Sequence, residues 1–264
     1  MRPDMPQPIV RIAAFLLAGS GLALAMPPGP AVAAASLLVW PIDPVIEARR
    51  GAGALWLENQ GNTLAVVQIR IFAWNQRGGD DDYGDQTAIV ASPPMAQIAP
   101  GGRQLVRLTS TQTERAPGEA AFRIVVDEIP VRDPPASGGG ETSLSKAGVR
   151  FQMRYTIPLF VYGGTSKAPS PGAGASGLHC TLAEQDGRTL VRIRNEAATH
   201  VRLVDARFDL ASGPVALPGG QLSYILPGST MHWPLPAGTT GREPLDTLVN
   251  GGTARVMLPG CTHE

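Results

Sequence analysis

The sequence predicts an all-β protein made of two immunoglobulin-like β-sandwich domains joined by a linker rich in Gly, Pro and Ser. The 264 residues include 31 Gly and 25 Pro, a content that favours many turns over long helices. Short runs of Val, Ile and Leu recur between these turn residues, as they do in antiparallel sheets. Residues 163–177 contain almost no side chain able to enter a core, and they separate the runs into two blocks.

Composition limits the class of protein. Hydrophobic residues make up 43% of the chain, which is enough for two cores in domains of about 100 residues each. The 22 basic residues balance the 22 acidic ones, and no Lys/Arg block occurs. Since phosphate backbones require a basic surface, we expect no nucleic-acid partner.

The N-terminus predicts export. Arg2 and Arg11 precede the apolar run at residues 12–25, and the alanines at 31–35 offer the small-x-small pattern that a signal peptidase accepts. A membrane anchor is the alternative, but the apolar run is shorter than the roughly 20 residues that a spanning helix needs. We therefore expect residues 1–35 to be a cleaved signal peptide and the mature protein to lie outside the cytoplasm.

The first block, residues 36–162, predicts an immunoglobulin-like sandwich, because seven short apolar runs each end at a Gly, Pro or Asp cluster. The acidic run at residues 80–82 lacks the ligand spacing of a calcium loop, which favours a solvated hairpin loop. Residues 132–148 predict a long loop before the last strand. The predicted strands are 36–47, 54–60, 66–76, 87–91, 104–109, 120–129 and 149–162.

The second block, residues 178–264, predicts a smaller β-domain of the same style. The linker before it matches the string Gly-x-Gly-x-x-Gly at residues 172–177, but no strand precedes the string, so we expect no dinucleotide site there. We find no internal repeat at a fixed period. The predicted strands are 178–183, 190–195, 201–210, 221–226, 230–235 and 253–258.

The two cysteines of the chain, Cys180 and Cys261, both lie in the second block. An exported chain with an even number of cysteines is expected to pair them. A redox pair or a metal site is the alternative, but no Cys-x-x-Cys occurs. The histidines show no ligand spacing either, so we expect no metal and no cofactor. They are His179, His200, His232 and His263.

The last predicted strand of the first block presents two different rows of side chains. One row is polar and the other apolar, at alternate positions. Alternation alone favours a strand that fills the core of its own domain, whereas an exposed apolar strand is a docking edge for a foreign strand. Both readings stay open at this point. The apolar row is Val149, Phe151, Met153, Tyr155 and Ile157, and the polar row is Arg150, Gln152, Arg154 and Thr156.

Several short segments of the first block occur in a characteristic order. They are 44–47 (PVIE), 57–59 (LEN), 73–74 (AW), 91–94 (ASPP), 98–101 (IAPG), 106–108 (VRL), 122–124 (FRI), 128–130 (EIP) and 157–160 (IPLF). In this order they resemble the periplasmic chaperones of the chaperone/usher pilus-assembly pathway, the PapD-like family. The resemblance covers about residues 37–162, and the second block fits the family's second domain in position and β character.

The resemblance implies a mechanism. Subunits in that pathway are incomplete sandwiches, and the chaperone lends them the last strand of its first domain. The lent row here would be Val149, Phe151, Met153, Tyr155 and Ile157. Leu37, Val39 and Trp40 of the first strand would complete the surface. The resemblance implies pilus subunits and an outer-membrane usher as partners, a periplasmic location and neither a small-molecule substrate nor a catalytic residue. The exposed edge also allows a self-capping dimer.

The chain departs from the family's best-known branch. That branch anchors the subunit's C-terminal carboxylate with an Arg and a Lys, at positions that hold Asp43 and Pro158 here. The segments 38–42 (LVWPI) and 157–161 (IPLFV) resemble the alternative or archaic branch, which is associated with spore-coat-U-like fimbriae. Arg150 and Arg154 could anchor the carboxylate through charge-assisted hydrogen bonds, or they could be solvated surface residues.

Two other functions remain open from the sequence. An exported structural or adhesive sandwich protein would use the same strands for cell-surface contacts. An enzyme on an all-β scaffold would need a cleft with converging titratable groups, and the sequence contains no nucleophile motif that indicates one.

Overall fold

The computed structural model of the chain describes residues 36–112, 114–130 and 152–263. These residues form two β-sandwiches and one short 3₁₀ turn at Ala175–Gly177, so the predicted fold class is confirmed. Residues 1–35, the predicted signal peptide, lie outside the described part of the chain. Within that part, no helix is long and apolar enough to cross a membrane.

The first sandwich contains ten strands in two sheets. One sheet has the order β1-β3-β8-β6, and the other has the order β2-β10-β9-β4-β5, with β7 paired to β4. The strands are β1 (Leu37–Trp40), β2 (Val45–Ile46), β3 (Ala52–Asn59), β4 (Ala65–Arg77), β5 (Asp80–Gly84), β6 (Ile89–Ser92), β7 (Met95–Ile98), β8 (Arg103–Ser110), β9 (Gly118–Ile129) and β10 (Arg154–Gly163).

The second sandwich contains nine shorter strands. Its sheets have the orders β16-β12-β11-β19 and β14-β13-β17-β18, with β15 paired to β13. The strands are β11 (Leu178–Gln185), β12 (Arg188–Asn195), β13 (Val201–Phe208), β14 (Val215–Ala216), β15 (Leu222–Ile225), β16 (Thr230–Pro234), β17 (Leu245–Val249), β18 (Arg255–Leu258) and β19 (Thr262–His263).

Each sandwich has its own core, built from the inward rows of alternating strands. In the first, Leu55 and Leu57 of β3 are fully buried together with Ile124 of β9. In the second, Val191 of β12 and Leu203 of β13 occupy the corresponding layer. The period-2 pattern that predicted strands therefore also sets which side chains are buried.

A buried asparagine corner occurs once in each sandwich. The Asn59 side chain donates to the carbonyls of Thr63 and Ile98 and accepts the N–H of Gly61. The Asn195 side chain makes the same three bonds, to the carbonyls of Thr199 and Ile225 and from the N–H of Ala197. With the two asparagines aligned, part of the strand order is the same in both sandwiches: β1, β3, β4, β7, β8, β9 and β10 occupy the positions of β11, β12, β13, β15, β16, β17 and β18.

The predicted bond between Cys180 and Cys261 is present, and the two Cα atoms are 4.5 Å apart. Cys180 lies on β11, and Cys261 lies just after β18. Beyond Cys261 the chain crosses to β11 and pairs with it as β19, at Thr181 and Leu182. The disulfide and β19 therefore close the rim between the first and last strands of the second sandwich.

Two predicted elements were wrong in the first sandwich. Residues 36–47 are not one strand, since Pro41 and Pro44 interrupt the ladder and β1 and β2 join different sheets. The acidic run at residues 80–82 is not a loop but most of β5, which pairs with the long strand β4 after a turn at Gly78 and Gly79. Both glycines have positive φ, 62° and 90°. The Asp residues of β5 are exposed to solvent, so no charge has to be buried when the strand forms.

Other strands were not predicted because they are short. Met95–Ile98 (β7) follows two prolines, and Leu245–Val249 (β17) lies between Pro244 and the turn at Asn250. β17 is nevertheless a central strand that pairs with both β13 and β18.

The segment predicted as linker is hydrogen-bonded to the second sandwich. The N–H of Gly172 donates to the carbonyl of Val249, and the Asn250 side chain donates to the carbonyl of Ala173. The domain boundaries themselves remain a prediction.

Replacing both cysteines by serine should lower the free energy of unfolding by about 2–5 kcal/mol, because the bond restricts a long loop in the unfolded chain. Denaturant unfolding of the wild type and the double variant measures the difference. Added reductant should bring the wild type to the variant's midpoint and leave the variant unchanged; equal midpoints under oxidising conditions contradict the expectation.

Candidate functional site

The last strand of the first sandwich, β10, is paired on one side only along its N-terminal half. It pairs with β9 over its full length, from Arg154 to Gly163. On the other side its partner is β2, which reaches only Phe160 and Val161. Among the described residues, no strand pairs with this second side from Arg154 to Pro158, so this part of β10 is an open edge.

The hydrogen-bond pattern shows which main-chain groups face the open edge. The N–H of Glu128 on β9 donates to the carbonyl of Met153, at 3.0 Å, so every second residue from Met153 turns its main chain toward β9. Arg154 and Thr156 therefore turn their N–H and C=O groups the other way. Phe160 belongs to this second series, and its N–H donates to Pro44 at 3.2 Å. Two N–H and two C=O groups, those of Arg154 and Thr156, are thus available for an added strand.

The apolar row of β10 runs from the core to the surface. Ile157, predicted as part of the docking row, is buried in the core of its own domain. Tyr155 is half-buried and packs against that core, and Met153 is 44% exposed. Val149 and Phe151 lie outside the described residues. The described part of the row thus presents Tyr155 and Met153 at the surface.

The first strand, β1, borders the same opening. The carbonyl of Ser36 accepts the N–H of Gln60, which follows β3, at 2.7 Å, so the main chains of Leu37 and Val39 turn away from β3. The N–H of Leu37 donates to the Tyr155 hydroxyl of β10 at 3.2 Å. Among the described residues, the Leu37 carbonyl and the main chain of Val39 therefore face an open edge, whereas the Leu37 N–H is taken by Tyr155. The Leu37 side chain is buried in the core, and Val39 packs against it.

The candidate anchor Arg154 is already engaged. Its guanidinium donates to Asp127 on β9, and Arg70 donates to the other carboxylate oxygen at 2.7 Å. Burial alone would raise the pKa of Asp127, but the hydrogen bonds and charges of the two arginines outweigh it and hold that pKa below its ordinary value. The other candidate, Arg150, lies outside the described residues.

At the positions that are basic in the best-known branch, this chain places different chemistry. Asp43 accepts a hydrogen bond from Arg202 of the second sandwich at 3.0 Å. Pro158 is buried on the polar row of β10, and it has no N–H to offer an added strand. Arg202 was not identified from the sequence, because it lies 159 residues from Asp43.

The outer face of β10 packs against the second sandwich. Phe160 stacks on His200, with ring centroids 3.5 Å apart, and Tyr162 is completely buried with Trp74 and Leu226. The Gln76 side chain donates to the carbonyl of Tyr224 at 2.8 Å and accepts the N–H of Leu226 at 2.8 Å. The two sandwiches are thus joined by an aromatic and hydrogen-bonded interface.

A buried contact between a carboxylate and a histidine lies in this interface. The Glu119 side chain is fully buried; it accepts the main-chain N–H of His200 at 3.0 Å, and its second oxygen is 2.8 Å from His200 Nδ1. Burial, followed by the neighbouring Glu119 charge, strongly raises the pKa of the Tyr162 hydroxyl. No sequence signal marked Glu119 or His200 as partners, since 81 residues separate them.

The described residues contain no group of three or more His, Cys, Asp or Glu side chains that could hold a metal ion. The other contact between a histidine and a carboxylate found there, between His179 and Glu196, is exposed on the second sandwich. The feature that stands out in the first sandwich is therefore the opening between β1 and β10.

The comparisons with known proteins agree with this geometry. The family model of the pili and flagellar-assembly chaperone, PapD N-terminal domain, matches residues 45–162. The crystal structure of the CsuC–CsuE chaperone–tip adhesion subunit pre-assembly complex, from archaic chaperone-usher Csu pili of Acinetobacter baumannii, contains a match that is 31% identical. It covers 87% of this chain and 100% of that chain, with a TM-score of 0.67. The chain therefore belongs to the PapD-like family of pilus-assembly chaperones.

Its branch within the family is the archaic one, as the sequence predicted, because the match is to the archaic chaperone CsuC. The Pseudomonas aeruginosa CupB2 chaperone shares the fold at 16% identity, covering 85% of this chain and 100% of its own, with a TM-score of 0.59. The complex of Salmonella enterica SafA pilin with the SafB chaperone contains a match that is 14% identical. It covers 85% of this chain and 96% of that chain, with a TM-score of 0.60. Among curated proteins, none matches the chain in sequence.

Glu119→Ala should lower the free energy of unfolding by about 2–4 kcal/mol, because it leaves two buried donors of His200 without an acceptor. Glu196→Ala is the matched control, since it removes an exposed carboxylate from the other histidine pair and should cost less than about 0.5 kcal/mol. Denaturant unfolding measures both. Similar losses in the two variants contradict a special role for the buried pair.

Glu128→Gln should stabilise the protein at neutral pH. Burial raises the pKa of Glu128, and a main-chain hydrogen bond from Met153 offsets this only partly, so the folded state favours the protonated carboxyl. The raised pKa of Glu128 therefore contributes to the free energy of unfolding. This contribution is fully present below the ordinary pKa of Glu and is lost as pH rises through the raised pKa. The melting temperature of Glu128→Gln should exceed that of the wild type at pH 7, and the difference should vanish below about pH 4.

Glu114→Gln, at an exposed position, is the control for this pH series. A stabilisation of Glu128→Gln that persists unchanged at low pH would show that burial of the charge is not its cause.

Proposed function

We propose that the chain holds incomplete pilus subunits at the opening between β1 and β10 by lending them the N-terminal part of β10 and the residues before it. The observation that carries this proposal is the open edge at Arg154 and Thr156, which lies beside an apolar row that leaves the core at Tyr155. An open edge supplies main-chain hydrogen bonds, and the alternate side chains fill pockets of the added partner.

The lent row consists of Val149, Phe151, Met153 and Tyr155. The sequence alternation assigns the first two to the row, and the exposure of Met153 and the half-burial of Tyr155 support the other two. Burial of four such side chains contributes roughly 6–12 kcal/mol gross, from which the costs of association are subtracted. The main-chain hydrogen bonds of the added strand contribute as well, and binding of this kind has no step that consumes ATP.

Ile157 belongs to the domain's own core and not to the lent row, because it is 7% exposed. Its place in the core fixes the start of the row, since a strand cannot slip by one residue without turning its apolar side chains to water. We propose that the Leu37 carbonyl and the main chain of Val39 pair with a second segment of the same subunit, because the hydrogen bond from the Leu37 N–H to Tyr155 holds this edge directly beside β10.

Membership of the family supports the location and the second partner that we propose. We propose that residues 1–35 direct export and are then removed, so that the protein acts in the periplasm and passes its subunit to an outer-membrane usher. The archaic relative CsuC forms a pre-assembly complex with the tip adhesion subunit CsuE, which supports a pilus subunit as the first partner. Release by exchange with another subunit's strand requires no catalytic residue in this chain.

Phe151→Asp should abolish recovery of the subunit and leave the chaperone folded, because a charge in the lent row cannot enter an apolar groove. Tagged wild type and variant, isolated from the native periplasm, are compared by mass spectrometry of the copurified one-to-one complex. Gln152→Asp adds the same charge to the neighbouring polar row and should retain the subunit.

Two outcomes count against the proposal. If Phe151→Asp prevents folding and expression, the side chain belongs to the domain's own core. If wild-type protein is recovered alone, or as a self-associated species, while pili are being made, the chain is an exported structural protein instead.

A further inference from the structure

A row of large side chains crosses the outer face of the β1-β3-β8-β6 sheet. Trp40 on β1 lies opposite Trp56 on β3, which lies opposite Leu105 on β8. The two indole rings are within 9° of parallel, and their centroids are 6.0 Å apart. Trp56 is 36% exposed and Leu105 is 40% exposed. We call these three residues the tryptophan ladder.

The ladder ends at the open edge of β1, where a second large residue accompanies it. Leu38, the other outward residue of β1, is 45% exposed. The guanidinium of Arg103 lies 5.7 Å from the Trp40 ring centroid and donates to Glu58 at 2.6 Å. Since this cation already has a carboxylate partner, the surface around Leu38 and Trp40 offers mainly apolar and aromatic contacts. Exposed apolar side chains on an unpaired edge indicate an interaction surface.

The register of β1 determines which of its side chains a new neighbour would meet most closely. The main chains of Leu37 and Val39 face the open edge, so those of Leu38 and Trp40 face β3. For a strand added antiparallel to β1, Leu38 and Trp40 would then form the non-hydrogen-bonded pairs, in which Cα atoms are about 4.5 Å apart and side chains are nearest. The added strand would extend the tryptophan ladder by one more rung.

We propose that the tryptophan ladder and Leu38 form a second recognition surface, which selects a pilus subunit by the outward side chains of the strand that it adds to β1. This inference rests on the proposed function and assigns to the bound subunit a contact outside the lent row. The favoured subunit strand carries aliphatic or aromatic residues opposite Leu38 and Trp40, because such cross-strand pairs stabilise a sheet and indole rings stack on apolar or planar groups.

The occupant is the subunit because the two open edges belong to one opening. The Leu37 N–H and the Tyr155 hydroxyl are 3.2 Å apart, so a body seated on β10 lies directly beside β1. In the proposed complex, that subunit already covers the edge of β1 at Leu37. The outward face of the subunit strand added to β1 then extends the sheet surface on which Leu38 and Trp40 lie. A second copy of this chain at the ladder is an alternative occupant that the experiment separates.

The test uses the subunit identified in the wild-type complex. Leu38→Thr keeps a residue suited to a strand but removes the apolar contact, whereas Val90→Thr makes a similar change on β6, at the opposite edge of the same sheet, where Val90 is 49% exposed. Each variant competes with differently tagged wild type for that subunit. Leu38→Thr should lose the competition by about tenfold, and Val90→Thr should compete equally with the wild type.

A photocrosslinker replaces Leu38 or Val90 in the same complexes. We expect position 38 to crosslink to an outward residue of the subunit strand and position 90 to give no subunit crosslink. Equal competition by Leu38→Thr, or a crosslink from position 38 only to a second copy of the chaperone, overturns the inference.

Phe151→Asp separates this inference from the proposed function. If that variant loses the subunit while Leu38→Thr binds it like the wild type, the recognition surface is wrong and strand lending stands. If Phe151→Asp keeps the subunit, or if the wild type carries none, the proposed function fails and the inference falls with it.

Discussion

The structure depends on β10 being paired along one side only at its N-terminal end. Three parts of the structure meet at this strand. Ile157 fills the core of the first sandwich, and Phe160 packs against His200 of the second. Arg154 turns its main chain to an edge that no described strand pairs with. Core and interface hold the C-terminal half rigidly, so the open half is presented in a fixed register. A strand held in this way can be lent without unfolding its own domain.

The second sandwich shows what the first would look like if its rim were closed. Its strands β11 and β18 correspond to β1 and β10, but Cys180 and Cys261 are bonded across them and β19 covers the β11 edge. β18 is only four residues long and follows the glycines at 251–252, whereas the sequence before β10 continues the apolar alternation. Open edges are a hazard that proteins usually block, so leaving one rim open beside a closed one points to a use for the open rim.

The sequence predicted the periodic features and missed those that depend on neighbours in space. Alternation at Met153, Tyr155 and Ile157 predicts a two-faced strand, yet it does not say where along the row burial ends, because this is set by the reach of β1 and β2. The β17 strand was missed although it is central, since five residues beside Pro244 carry too little pattern. The buried pair of Glu119 and His200 joins segments 81 residues apart, and neither residue has a local signature. The family resemblance supplied the docking role that alternation alone disfavoured.

The charges around the opening are one reason to place the proposed recognition on the main chain and the apolar rows. Asp43 pairs with Arg202, and Asp127 pairs with both Arg154 and Arg70, so each of these three arginines already has a carboxylate partner. Arg154 is also largely exposed, and an exposed ion pair with a subunit carboxylate would contribute little net free energy. Among the described residues, no strand occupies the edge at Arg154 and Thr156, and the stacked indoles lie beside the edge of β1. The open edge and the indoles are therefore the contacts on which the proposed selection of a partner can act.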